Sequence, residues 1–104
     1  MKLNKGQIKG LRVESHRLKL KPIVIIGQKG LSENLQAQID AALTHHELLK
    51  LRIPGLQKTQ KKEIANLICE QHQAVLVELI GNVMVIFRRN IEQDSYSKIL
   101  QDRT

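Results

Sequence analysis

The sequence predicts an α/β fold built on a four-stranded mixed sheet, and three observations carry that prediction. Short apolar, β-rich runs at 23–26, 47–54, 74–80 and 83–88 are preceded or separated by longer stretches with helical periodicity. The last two runs are split only by Gly81-Asn82, the spacing of a tight hairpin, which requires one antiparallel pair. At 104 residues the chain holds material for one hydrophobic core and no more. The order α-β-α-β-α-β-β then gives parallel strands through right-handed crossovers and an antiparallel hairpin. The expected architecture is a two-layer sandwich, with helices on one sheet face and the other face partly open and carrying Lys50 and Arg52.

The first helix is expected from an Asn4 cap to about Ser15. Ile8, Leu11, Ser15 and Leu18 form one stripe, and Lys2, Lys5, Lys9, Arg12 and His16 form another. Gly6 and Gly10 weaken it by about 1 kcal/mol each relative to alanine. Pro22 closes that region and opens Ile23-Val24-Ile25-Ile26, whose apolar character on both sides predicts a strand flanked by neighbours. Ser32 is placed to cap a second helix reaching His46, with Leu35, Ile39, Ala42 and Leu43 on one stripe.

In the next run Leu49, Leu51 and Ile53 alternate with Leu48, Lys50 and Arg52, and Pro54-Gly55 ends the strand. A third helix is expected over 57–72, with Ile64, Leu67 and Ile68 in register and Lys58, Lys61 and Lys62 crowded into its start. Cations there oppose the helix dipole, a cost that an anionic partner would offset. Residues 1–89 thus read as one domain. Residues 90–104 read as a polar tail with room for a short helix.

Charge points to a class of partner. Lys and Arg number 17 against ten Asp and Glu, a net charge of +7. Residues 1–30 contain eight basic groups and one acid, so this third holds the whole excess, while the remainder balances at nine of each sign. Solubility alone gives no reason to sort charge in this way; a polyanion such as nucleic acid does. The longest unbroken apolar run, Val83 to Phe87, is far too short to span a membrane. No hydrophobic region follows Lys2 and Lys5 as a signal peptide would require, so a cytoplasmic protein is expected. The single Cys69 reads as a small core residue.

One motif carries chemistry. Gly27-Gln28-Lys29-Gly30 sits at a strand-to-helix corner, where outward-facing N–H groups, two residues without Cβ and one mobile cation suit a phosphate. Gly-x-x-Gly alone is weak evidence, since glycine often only shapes a turn. Neither a complete P-loop nor a Gly-x-Gly-x-x-Gly fingerprint is present, which favours the backbone clamp that KH modules use over a mononucleotide site. Arg17, Lys19 and Lys21 lie just upstream and could extend the basic surface. With Phe87 and Tyr96 the only aromatic residues, serial base stacking on aromatic rings is not expected.

Leu20-Lys21-Pro22 through Ile26, the Gly27–Ser32 segment, His45-His46-Glu47-Leu48 with Lys50, and Gly81-x-x-x-Val85-Ile86-Phe87-Arg88 together resemble the CRM domain over residues 3–89. The likeness is strongest to its small bacterial single-domain members, the YhbY family. That resemblance implies a fold similar to the C-terminal domain of translation initiation factor three. It also implies RNA binding through Gly27, Gln28, Lys29 and Gly30, and association with precursors of the large ribosomal subunit. Phe87 stands where many relatives have Tyr.

The remaining polar groups suggest no competing chemistry. His45 and His46 lack a third ligand at metal spacing, and Glu14, Ser15 and His16 are close neighbours on one helix rather than residues converging from separate elements. The expectation is therefore a monomeric RNA-binding protein without catalytic residues, metal, cofactor or small-molecule substrate, whose partner is large-subunit ribosomal RNA. The candidate contacts outside the glycine corner are Lys2, Lys5, Lys9, Arg12, Arg17, Lys19, Lys21, Lys50, Arg52, Lys58, Lys61, Lys62 and Arg88. The alternatives are a protein–protein adaptor using the basic first helix and a nucleotide-binding enzyme.

Overall fold

A computed structural model describes residues 2–27 and 30–102. The first helix, α1 (Lys5–Arg17), starts where Asn4 accepts the Gln7 N–H at 2.8 Å, while the Gln7 side chain accepts the Asn4 N–H at 2.9 Å. This reciprocal cap satisfies two donors that the first turn cannot pair. Strand β1 (Val24–Ile25) is followed by α2 (Glu33–His46), capped by Ser32 Oγ accepting the Leu35 N–H at 3.1 Å. Then come β2 (Leu48–Arg52), α3 (Lys58–His72), the hairpin strands β3 (Val75–Ile80) and β4 (Val83–Phe87), and a short α4 (Ser97–Asp102).

The sheet order is β1-β2-β4-β3, with β1 parallel to β2 and β4 antiparallel to both β2 and β3. The α/β class and the four-stranded mixed sheet are as expected. The two crossovers differ, however. β1 and β2 pair directly, whereas β4 folds back from the hairpin and inserts between β2 and β3, which run parallel without touching. A β-bulge between Leu76 and Glu78 turns Val77 and Glu78 toward the same face.

One face carries Val24, Leu49, Leu51, Met84 and Ile86 against Ile39 and Leu43 of α2 and Ala65 and Ile68 of α3. The other carries Leu48, Val77, Val85 and Phe87 against Leu11 of α1 and Leu100 of α4. Two layers are thus three over half of the sheet. Central strands β2 and β4 are apolar on both sides, so both faces need cover, and α1 supplies it where α2 and α3 cannot reach. The uncovered half carries Lys50 and Arg52, as expected. Strand β1 is not buried on both sides: Val24 and Ile26 are, but Ile23 and Ile25 are exposed, because no described element overlies this edge on the α1 side.

The stretch after Arg89 joins the body. Tyr96 meets Phe87 edge-on with ring centroids 5.9 Å apart, Leu100 is buried, and the Gln7 amide donates to the Leu100 carbonyl at 2.9 Å. Its anchor is Glu47, fully buried in the turn between α2 and β2 at φ +59°, an unusual conformation for a residue with a Cβ. The Glu47 carboxylate accepts the N–H groups of Asn90 and Ser95, both at 3.0 Å, and its carbonyl accepts the Arg88 N–H at 2.9 Å. Burial pushes the Cys69 thiol up to about 11, consistent with an inert core residue.

Removing the Glu47 carboxylate leaves two N–H groups without their acceptor. Glu47→Ala is expected to lower unfolding stability by about 3 kcal/mol in urea titration and to speed amide exchange at Asn90 and Ser95. Unchanged exchange at those two amides contradicts the anchoring role.

Candidate nucleic-acid interface

Because β1, β2 and β3 run in one direction, the β1–α2 corner, the β2–α3 turn and the β3–β4 hairpin all emerge at the same end of the sheet. Two backbone hydrogen bonds tie them together. Ile26 N–H donates to the Arg52 carbonyl and Ile53 N–H to the Asn82 carbonyl, each at 2.8 Å. This end brings together Gly27, Gly30, Arg52, Lys58 and Lys61.

At the corner, Gly30 N–H donates to the Gly27 carbonyl at 3.1 Å, and Gly30 has φ +82°, a conformation that glycine adopts without strain. Gly27 has no such backbone requirement, and a Cβ at either glycine would meet nothing within 4 Å among the described residues. Internal packing therefore does not account for Gly27; open space in front of the main chain is what its missing side chain leaves. Gln28 and Lys29 lie outside the described residues. The exposed Glu33 in the first turn of α2 complements the helix dipole.

The first turn of α3 contains no acid, and its cap is neutral, with Gln57 N–H donating to Gln60 Oε1 at 3.1 Å. Lys58 and Lys61 line a cleft of about 300 Å³ with Leu79 and Gly81 of the hairpin. Lys62 is exposed on the same turn. Lys50 and Arg52 project from the open sheet face beside the exposed Ile23 and Ile25. Among the described residues none of these cations has an ion-pair partner.

The other predicted contacts lie elsewhere. Lys5, Lys9 and Arg12 are exposed on α1, with Lys2 just before it, in the layer that packs on the β3–β4 side of the opposite face from α2 and α3. Lys19, at φ +52°, and Lys21 are exposed on the connection to β1. Arg17 is paired with Glu14, and His16 contacts the largely buried Glu78 at 2.9 Å. Arg88 sits at the far end of the sheet and is occupied there. Its guanidinium donates to Asp40 Oδ1 at 2.8 Å, the Asp40 carbonyl at 3.0 Å, Thr44 Oγ1 at 2.9 Å and the His72 carbonyl at 3.3 Å. It pins the ends of α2 and α3. His45 and His46 are exposed in the last turn of α2, where cations suit the dipole.

A small α/β domain with a glycine corner and unpaired cations at one sheet end is the class of protein that this geometry defines. Comparison with known proteins gives the family. The CRS1/YhbY (CRM) domain model matches residues 3–88, and the chain belongs to that family. It is 38% identical over 73 residues to a Haemophilus influenzae protein named as RNA-binding, covering 70% of this chain and 74% of that one. A Pseudomonas aeruginosa protein named as a probable RNA-binding protein is 30% identical over 90 residues, covering 86% of this chain and 85% of the other. In structure the chain is similar to a Staphylococcus aureus protein solved in solution, with TM-score 0.76 and 35% identity over 86% of this chain and 91% of that one.

The pin at Arg88 has a consequence for pH. His72 is buried beneath it, and desolvation holds its pKa below the ordinary 6.5; nearby Asp40 acts in the opposite direction and Arg88 in the same one. The unfolded chain therefore takes up this proton first, so the contribution of His72 to stability is present above pH about 6.5 and is lost as pH falls toward the depressed folded value. His72→Leu is expected to flatten the stability profile below pH about 6.5 in urea titrations. An unchanged slope contradicts a buried neutral imidazole.

Proposed function

We propose that the chain binds RNA by its sugar–phosphate backbone at the Gly27–Gly30 corner, with Arg52, Lys58, Lys61 and Lys62 holding neighbouring phosphates and Lys50 extending the surface. The observation that carries this reading is the convergence of an open glycine corner and ion-pair-free cations at one end of the sheet. Phosphates at the start of α3 would offset the dipole cost of its lysines, and the main chain at Gly27 leaves room for close approach. Lys2, Lys5, Lys9, Arg12, Lys19 and Lys21 form a second positive region that a large, structured RNA could span. Membership of the CRM family supports the reading, as do the names of the relatives. From the resemblance of the bacterial single-domain members, we further propose that the RNA is that of the large ribosomal subunit during its assembly. The protein would act there as a cytoplasmic monomer, without catalysis.

If about five phosphates are neutralised, log K against log salt should fall with a slope near −3.5 for a single strand. Lys58→Ala with Lys61→Ala should flatten that slope by about 1.4. Gly27→Asp adds a carboxylate at a position where a Cβ meets no described atom within 4 Å and φ is not positive, so it should fold normally and still bind at least about tenfold more weakly, a loss of roughly 1.4 kcal/mol. Anisotropy titrations across salt read all three. Full affinity in a folded Gly27→Asp protein removes the corner from the mechanism.

A further inference from the structure

Strand register places two rows of side chains on the open half of the sheet. Ile25 pairs with Arg52, Arg52 lies opposite Val83, and Val83 lies opposite Ile80. In the next row only the β1–β2 end is open: Ile23, whose N–H donates to the Lys50 carbonyl at 3.1 Å, sits beside Lys50, while Val85, further along the row, is buried in the cluster under α1. Ile23 is 55% exposed and both Ile25 and Ile80 are 65% exposed, although the other half of this face is packed under α1 and α4. Aliphatic groups left in water around cations mark an interaction surface.

We propose that this half-face seats unpaired RNA nucleotides, with bases lying on Ile25, Val83 and Ile80 and phosphates held by Lys50 and Arg52. The proposal rests on the RNA-binding reading above and specifies which form of RNA the site takes. A duplex presents sugar and phosphate outward and hides its base faces, so it would leave the isoleucines uncovered. An unpaired strand alternates anionic phosphates with flat apolar rings, the alternation that these rows offer across strands about 4.8 Å apart. Aliphatic side chains can cover a base face by dispersion contact where no aromatic ring is available. The surface is continuous with the glycine corner, since Ile26 bonds to the Arg52 carbonyl one residue before Gly27. The acid at its edge, Glu78, is already paired with His16.

The test compares an unpaired mixed-sequence oligonucleotide of about twelve nucleotides with a blunt duplex carrying the same number of phosphates. The proteins are the wild type and an Ile25→Thr/Ile80→Thr double variant, in which no charge changes and β-branching is kept. The expected result is tighter binding of the unpaired strand by the wild type. In the variant that affinity should drop at least about fivefold with an unchanged salt slope, since only apolar contacts are removed. Methyl NMR of the wild type gives a readout independent of any variant: signals of Ile23, Ile25 and Ile80 should shift on adding the unpaired strand, and those of Ile39 and Ile68 should not. Equal affinity for duplex and single strand, with silent Ile25 and Ile80 methyls, overturns the proposal while leaving RNA binding intact. Failure to bind either RNA overturns the underlying reading as well. A wild-type dimer in sedimentation that the double variant disperses would assign the face to a second copy of the chain and also overturn it.

Discussion

The architecture depends on one constraint: β2 and β4 are apolar on both faces, so the sheet cannot stand with helices on one side alone. Leu49, Leu51, Met84 and Ile86 face α2 and α3, while Leu48, Val85 and Phe87 face the other way and must also leave water. Helix α1 covers them, yet it is too short on apolar residues to cover the entire face, and α4 completes only the part nearest Phe87. What remains uncovered is the half adjoining the glycine corner. The same packing requirement that buries the core therefore decides which surface is left for a partner.

This view also explains the role of the C-terminal stretch. A single helix carrying Gly6 and Gly10, with Leu11 as its one fully buried large side chain, has little to hold it against a sheet. The segment after Arg89 adds Leu100 and Tyr96 to the same cluster and is fastened by the buried Glu47 carboxylate. At the other corner Arg88 ties α2 to α3. Both devices sit at the end of the sheet away from the hairpin. At the end with the glycine corner, Arg52, Lys58, Lys61 and Lys62 have no ion-pair partner among the described residues, a division of labour between holding the fold and meeting a ligand.

Much of this was legible in the sequence for local reasons. Asn4 and Ser32 announced their helices because a capping side chain acts within three residues, and Gly81-Asn82 announced the hairpin for the same reason. The corner at Gly27 and Gly30 was visible from spacing, and the charge excess showed that a polyanion was wanted. What depends on contacts distant in sequence was not legible. The face chosen by α1 was hidden because either sheet face could receive its stripe, and the insertion of β4 between β2 and β3 leaves no local trace. Glu47 appeared only as part of a family-like segment; nothing near it signals burial, a positive φ or two bonds to residues more than forty positions away. Arg88 read as a free cation because its partners, Asp40, Thr44 and His72, come from two other elements.

In the proposed complex, RNA lies across the hairpin end of the sheet and the open half-face beside it. Ultraviolet crosslinking of the protein to bound RNA, followed by mass spectrometry of the crosslinked peptides, tests this most directly. Adducts are expected within residues 23–30 and 50–62. Adducts confined to the far end of the sheet, around Arg88 and the 90–95 turn, would contradict it.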